Sequence, residues 1–289
     1  MALFKLVTDS TADLPASYYT EHNVGCMYLS VIMEDKTYNK ENPIDIKTFY
    51  EKLGSGSMPT TSQINPDEAA REFREYLKEN KNILYLAFSS GLSGSYQSGC
   101  IAADEIMEED PEANIIVIDT LCASLGEGFI VNKAVQMMEE DKTIDEVAAF
   151  VKDNLHHVGH VFTVDDLFHL SRGGRISKGT AVVGSMINIK PLLIVNDEGK
   201  LINVGKCRGR KKALASLVEM MDEKLGDYRG RDQKCMISHS HCLEDAQYVA
   251  GLVKEKFGYD TEIIDYIGPV IGTHTGIGTV ALFFWADHR

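Results

Sequence analysis

Ile83-Leu84-Tyr85-Leu86-Ala87-Phe88-Ser89-Ser90-Gly91-Leu92-Ser93-Gly94-Ser95-Tyr96 is the stretch whose reading decides the fold. Ile83 to Phe88 is apolar throughout and has the length of a strand buried on both faces. Tyr96, Cys100, Ala103 and Met107 then recur at helical spacing. Hydroxyls and glycines therefore occupy a strand-to-helix turn. At the carboxyl end of a parallel strand the first N–H groups of the next helix point outward unpaired, and the helix dipole favours a negative charge there. Glycines let a ligand approach the backbone, and Ser93 adds a hydroxyl donor. One serine would be an ordinary N-cap. Four serines and two glycines in the seven residues Ser89 to Ser95 point instead to an anion or carboxylate site.

The flanking sequence repeats the pattern. Leu3 to Val7 reads as a strand, followed by the polar turn Thr8-Asp9-Ser10-Thr11-Ala12-Asp13-Leu14-Pro15 and a helix through Tyr18 and Tyr19. Ile115 to Ile118 is another short apolar run, ending in Asp119-Thr120 after a helix that reaches Glu109. Strands separated by helices predict a parallel sheet covered on both faces, with ligands beyond the carboxyl ends of its strands. That rule puts Asp9, Ser10, the serine turn and Asp119 on one rim. Between these runs, Val24 to Met33 reads as one strand, Glu34-Asp35-Lys36 as a turn into Thr37-Tyr38, and Asp45 as a helix cap. Gly54 to Gln63, containing Pro59-Thr60-Thr61-Ser62-Gln63, reads as a loop. Asn65, Pro66 and Glu68 predict a capping box on the next helix.

Helices over Gly126 to Met138 and Thr143 to Leu155, the second opened by a Thr143 cap with Glu146 three residues on, complete the first half, and the pattern changes at His156-His157-Val158-Gly159-His160. The chain is read as two α/β domains: residues 1–158, a three-layer α/β/α unit with a mainly parallel sheet, and residues 159–289, an α/β unit with a mixed sheet. In the second, Val161 to Val164 is a strand and Asp165 through Leu170 a helix. Gly173-Gly174 between Arg172 and Arg175 reads as a helix stop beside cationic residues. Ile187 to Val195 and Leu201 to Val204 flank a hairpin turn. Lys206, Arg208, Arg210, Lys211 and Lys212 form the densest basic run and lead into a helix over Leu214 to Leu225. Gly268 to Gly278 surrounds His274 with threonines and glycines, so its backbone is free to curl and its imidazole can donate to an anion.

At 289 residues the chain can bury a full core. A net charge of −14 argues against nucleic acid as a partner. The six cysteines are scattered, with no Cys-x-x-Cys pair, and no apolar run is long enough to span a bilayer, which predicts a reduced, cytoplasmic protein. The histidines of 156–160 and the Cys235, His239, His241, Cys242 group lack the ligand set or geometry of a metal site, so no metal is expected. There is no phosphate-binding Gly-x-x-x-x-Gly-Lys-Ser/Thr loop and no His-Glu-x-x-His. Hydroxyls, glycine amides and one histidine suit a carboxylate.

Taken together, Thr8 to Leu14, Pro59 to Gln63, Ser89 to Ser98, Gly173-Gly174-Arg175-Ile176, Lys190-Pro191 and Ile271 to Gly276 resemble the DegV family, the fatty-acid-binding proteins that serve bacterial fatty acid kinase. The resemblance implies a two-domain fold with an acyl chain in a tunnel between or within the domains. It implies that Thr61, Ser93, the Gly94 amide and His274 hold the carboxylate, with Ser62, Thr273 and Thr275 behind them. It also implies that Arg175 and Arg208 contact a separate ATP-dependent kinase, which makes an acyl phosphate for phospholipid synthesis. On this reading the protein is a monomeric, non-catalytic carrier without a cofactor, and transient membrane contact is compatible with it. Gly276-Ile277-Gly278 departs from the commoner Gly-Pro-Gly. Two alternatives stay open: an acyl hydrolase using Ser93 and His274, and a lipid-responsive regulator.

Overall fold

The computed structural model describes residues 3–177, 188–231 and 233–289. The apolar runs form a parallel sheet from β1 (Lys5–Asp9), β2 (Gly25–Met27), β6 (Asn82–Ala87) and β7 (Asn114–Asp119), in the order β2-β1-β6-β7. Its side chains alternate between two cores. Ile83, Tyr85 and Ala87 share one cluster with residues of α3 (Pro66–Leu77) and α4 (Ser95–Glu109). Leu84 and Leu86 join the other, with α5 (Leu125–Glu139) and α6 (Ile144–Asn154). A strand's period of two thus gives three layers, as expected.

The second sheet has six strands: β8 (Val158–Thr163), β9 (Ile189–Val195), β10 (Leu201–Arg208), β11 (Lys234–His239), β12 (Asp260–Tyr266) and β13 (Val280–Trp285). Its order is β10-β9-β8-β13-β11-β12, antiparallel except for the β11–β12 pair, so it is mixed. β8 begins one residue before the expected start of the second half. Ile187, the expected first residue of β9, lies outside the described residues. β10 runs four residues beyond the expected Val204, through a bulge between Asn203 and Gly205, so Lys206 and Arg208 stand on a strand.

Three further expectations change. The run Val24 to Met33 splits into β2 and β3 (Ser30–Met33), which belong to different sheets. The expected loop around Thr61 contains β5 (Thr60–Ser62), which pairs with β3 beside β4 (Lys36–Tyr38). β-branched Thr60 and Thr61 suit a strand, and β3 offers an open edge. Residues 269–275 form a helix, α10 (Pro269–Thr275), rather than a curled loop. Pro269 starts it, and Gly276 at φ 75 ends it. The remaining helices are α1 (Ala16–Glu21), α2 (Ile46–Gly54), α7 (Phe168–Arg172), α8 (Arg210–Lys224) and α9 (Leu243–Phe257). The Asp45 cap and the capping boxes of Asn65 and Thr143 form as the sequence predicts. No helix among the described residues is long and apolar enough to cross a membrane.

In the order β2-β1-β6-β7 the chain changes direction between β1 and β6, the crevice where such sheets bind ligands. Here the crevice is filled from within. Asp9 accepts hydrogen bonds from the Tyr85 hydroxyl at 2.6 Å and from the Phe88 amide at 2.7 Å. Glu127, on α5, accepts from Thr8 at 2.9 Å and from Thr11 at 3.0 Å. Both acids are fully buried. Asp9 was expected on an open rim; it is buried instead and holds the Phe88 amide, immediately before the serine turn.

Burial pushes Asp9 up to about 7, and burial with the neighbouring Asp9 pushes Glu127 well above the ordinary carboxylate range. Between an unfolded value near 4 and the raised folded value, the folded pair keeps protons that the unfolded chain has lost. Its stabilising contribution is therefore present at low pH and falls as pH rises through that window, by on the order of a few kcal/mol. Denaturant titrations of wild type and Glu127→Gln should show the wild-type advantage largest near about pH 5 and shrinking toward about pH 8. An advantage constant with pH would contradict this protonation.

Candidate functional site

One cavity collects most of the residues singled out in the sequence. Thr61, Ser93, Arg175, His274 and Thr275 line it, together with apolar side chains that include Leu170, Val195, Ala281 and Phe283. Polar groups from β5, the serine turn, the segment after α7 and α10 thus meet an apolar interior. Its free space is about 70 Å³.

α10 carries His274 to Thr61, packing against α2, β3 and β5. Thr61 Oγ1 and His274 Nε2 lie 2.8 Å apart. His274 Nδ1 is buried without a hydrogen-bond partner among the described residues. Leaving an acceptor unpaired is the less costly choice, which puts the hydrogen on Nε2, donating to Thr61. The Thr61 hydroxyl hydrogen is then free for another acceptor. Burial first, then the charges of Arg175 and Arg172 and the nearby His169, lower His274 to about 3, so the imidazole is neutral.

Gly173 has a steric role beyond stopping α7. A Cβ on it would lie 2.1 Å from His274 Nδ1. Gly174, at φ 75, turns the chain so that Arg175 comes back over the cavity. Arg175 donates to the Leu92 carbonyl at 3.2 Å and to the Gly173 carbonyl at 2.6 Å. It pairs with no carboxylate among the described residues. Arg172 donates to the Thr273 carbonyl at 3.3 Å. Two cations therefore flank a neutral imidazole.

The serine turn divides its labour. Ser89, fully buried, donates to the Gly199 carbonyl at 2.8 Å and so fastens the turn to the β9–β10 hairpin. Ser93 Oγ lies 3.0 Å from Ser95 Oγ and accepts from the Ser95 amide at 3.2 Å. The Gly94 amide is already engaged: it donates to Gln63 Oε1 at 3.2 Å, and a Cβ on Gly94 would lie 2.5 Å from that oxygen. Gly94 does not line the cavity, nor do Ser62 and Thr273. Ser62 is exposed, and Thr273 bonds back to the Pro269 carbonyl at 2.8 Å. Arg208 stands apart, exposed on β10.

Sequence reasoning assigned no role to Gln63 or Arg172, nor to Ser124 and His160 deeper in the cavity wall. Gln63 could have been suspected from its place beside Thr61. Nothing local marks His160, whose Nε2 is buried against Gly126 without a hydrogen-bond partner among the described residues. No His/Cys/Asp/Glu group among the described residues is arranged to hold a metal. Ser93 and His274 make no hydrogen bond to each other; each bonds a different neighbour.

A sequence profile described as "Uncharacterised protein, DegV family" matches residues 3–287. The chain belongs to the DegV family. A DegV domain-containing protein of Clostridium perfringens is 44% identical over 100% of this chain and 99% of its own. The solved structure of a DegV family protein from Thermus thermophilus, described by its fatty acid binding, superimposes with a TM-score of 0.87 at 31% identity, covering 99% of this chain and 100% of that one. DegV of Bacillus subtilis, described as a fatty acid binding protein, gives a TM-score of 0.85 at 28% identity over 99% of this chain and 100% of its own. The two sheets described above are those of this DegV fold.

Gly173→Ala should push the imidazole of His274 away and break its contact with Thr61. Histidine-selective NMR would then show the His274 ring resonances displaced while those of the distant His156 stay in place. An unmoved His274 signal would contradict the close approach.

Proposed function

We propose that this DegV family member binds a long-chain fatty acid between two domains, residues 1–158 and 159–289, and presents the carboxylate to a separate ATP-dependent kinase. The observation that carries this reading is the meeting of Thr61, His274 and Ser93, with Arg172 and Arg175 beside them, at one cavity that is otherwise apolar. The fatty acid binding described for the Thermus thermophilus and Bacillus subtilis relatives supports it.

A buried carboxylate needs several donors. Thr61 offers a hydroxyl hydrogen left free by His274, and Ser93 offers a second hydroxyl. The Gly94 amide joins only if Gln63 releases it. Arg175, which the resemblance assigns to the kinase, is better suited to balancing the head-group charge from the cavity wall. The tail supplies affinity: about fifteen methylenes at roughly 0.8 kcal/mol each contribute on the order of 10 kcal/mol before ordering costs. With about 70 Å³ free, lining side chains have to move aside for such a chain.

The chain acts as a carrier on this reading, with no phosphate cradle in its sequence, so ATP and metal come with the partner. The partner's contact surface includes Arg208, exposed with Lys206 on the edge strand β10, where basic side chains would steer an acidic protein. The protein works as a cytoplasmic monomer. Ser93 and His274 bond different neighbours rather than each other, which favours binding over hydrolysis.

Denaturing mass spectrometry of the purified protein should release a long-chain fatty acid; a protein that is empty and takes up no added palmitate would sink the proposal. His274→Ala should weaken palmitate binding roughly tenfold to a hundredfold, the loss of about 1.5–3 kcal/mol expected for a hydrogen bond that supports a charged group. Arg208→Ala should leave palmitate affinity unchanged and slow acyl phosphate formation by the kinase, and equal rates would remove β10 from the docking surface.

A further inference from the structure

Thr61 and Gln63 both line the cavity, while Ser62 between them is exposed and does not. The alternation of side chains that sends Thr61 inward from β5 sends Gln63 the same way. Gln63 is itself exposed, so it stands where the cavity meets solvent.

Its carboxamide lies along the first turn of α4. Oε1 accepts from the Gly94 amide at 3.2 Å, and Nε2 approaches Ser98 Oγ at 3.5 Å. The Gly94 N–H can only donate, which fixes the oxygen end of the carboxamide. Any side chain at position 94 would exclude this contact, because a Cβ there would lie 2.5 Å from Oε1 and 2.7 Å from Nε2. The next amide, that of Ser95, is held by Ser93 Oγ. Gly94 is the N-cap of a 15-residue helix, whose positive end favours an anionic oxygen over the neutral one it holds.

We propose that Gln63 is a built-in competitor for the carboxylate of the ligand. The inference rests on the fatty-acid reading of the cavity and adds an order of events to it. In the empty protein the carboxamide oxygen caps the Gly94 amide; when the acid enters, a carboxylate oxygen takes that amide and the carboxamide swings out to water. The exchange runs forward because a charge-assisted hydrogen bond replaces a neutral one. Both contacts that Gln63 gives up lie at or beyond the long end of the usual range, so water replaces them at little cost. The exchange runs backward when the acid leaves, because Gln63 is tethered beside the amide and recaps it at high effective concentration. Gln63 thereby lowers affinity and eases release, as a carrier that hands on its cargo requires.

Palmitate titrations of the full chain test this in wild type, Gln63→Ala and Gln63→Glu. With the competitor removed, Gln63→Ala should bind palmitate about twofold to tenfold more tightly, the worth of one modest hydrogen bond. Gln63→Glu, close to isosteric, puts a competing carboxylate on the same amide and should bind about tenfold more weakly, or worse. The Gly94 amide resonance gives a readout independent of affinity: it should move in empty Gln63→Ala, and in wild type when palmitate is added. Weaker binding by Gln63→Ala would make the carboxamide a donor to the ligand and overturn the proposal, as would a Gly94 resonance that ignores the substitution. Palmitate uptake with equal affinity in all three proteins overturns it and leaves the fatty-acid reading intact; no uptake by any of them overturns both.

Discussion

The Asp9 carboxylate bridging β1 and β6 is the constraint on which the site depends. At the crevice where strand order reverses, an open sheet leaves backbone amides for a ligand. Here Asp9 takes the Phe88 amide and the Tyr85 hydroxyl, and the serine turn leaves β6 from that fixed point. Ser89 then ties the turn to the hairpin of the second sheet, and Gln63 ties it to β5. Ser93 and Thr61 thereby face one cavity from two different segments. Placing two acids, Asp9 and Glu127, in a dry core costs free energy that the surrounding apolar packing must offset. In return the turn has a single geometry.

His274 reaches this frame from the far end of the chain. It does so because α10, bounded by Pro269 and Gly276, leaves the second sheet and packs on α2, β3 and β5. Gly173 clears the space the imidazole occupies, and Gly174 returns Arg175 to the cavity wall. An acidic protein thus keeps a local cationic region where it has hydroxyl donors, which is the arrangement a carboxylate requires.

Much of this was legible from residue pattern. The strand-turn-helix at Ile83 to Tyr96, the capping boxes at Asn65 and Thr143, and the mixed second sheet follow from periodicity and local hydrogen-bonding rules. What escaped was tertiary. Thr60 to Ser62 has loop composition and becomes a strand because β3 offers an edge. Asp9 sits at a strand's carboxyl end, where a sequence suggests exposure, yet its partners Tyr85 and Phe88 lie more than seventy residues away and bury it. The Gly94 amide has the position of an anion donor, and only the folded chain reveals that Gln63 occupies it. For Arg175 the resemblance implies only a kinase contact; that it also lines the cavity depends on the direction of the Gly173-Gly174 turn, which residue pattern does not specify.

The central claim is that a fatty-acid carboxylate sits ionised among Thr61, Ser93 and His274 under the field of Arg172 and Arg175. Carbon NMR of the protein loaded with carboxyl-labelled palmitate measures this directly. The account predicts one carboxyl resonance that shifts in Ser93→Ala and in His274→Ala and does not titrate between about pH 8 and about pH 5, because donors and cations hold the charged form. A resonance that titrates near about pH 7, as expected of an acid in apolar surroundings, and ignores both substitutions would contradict it.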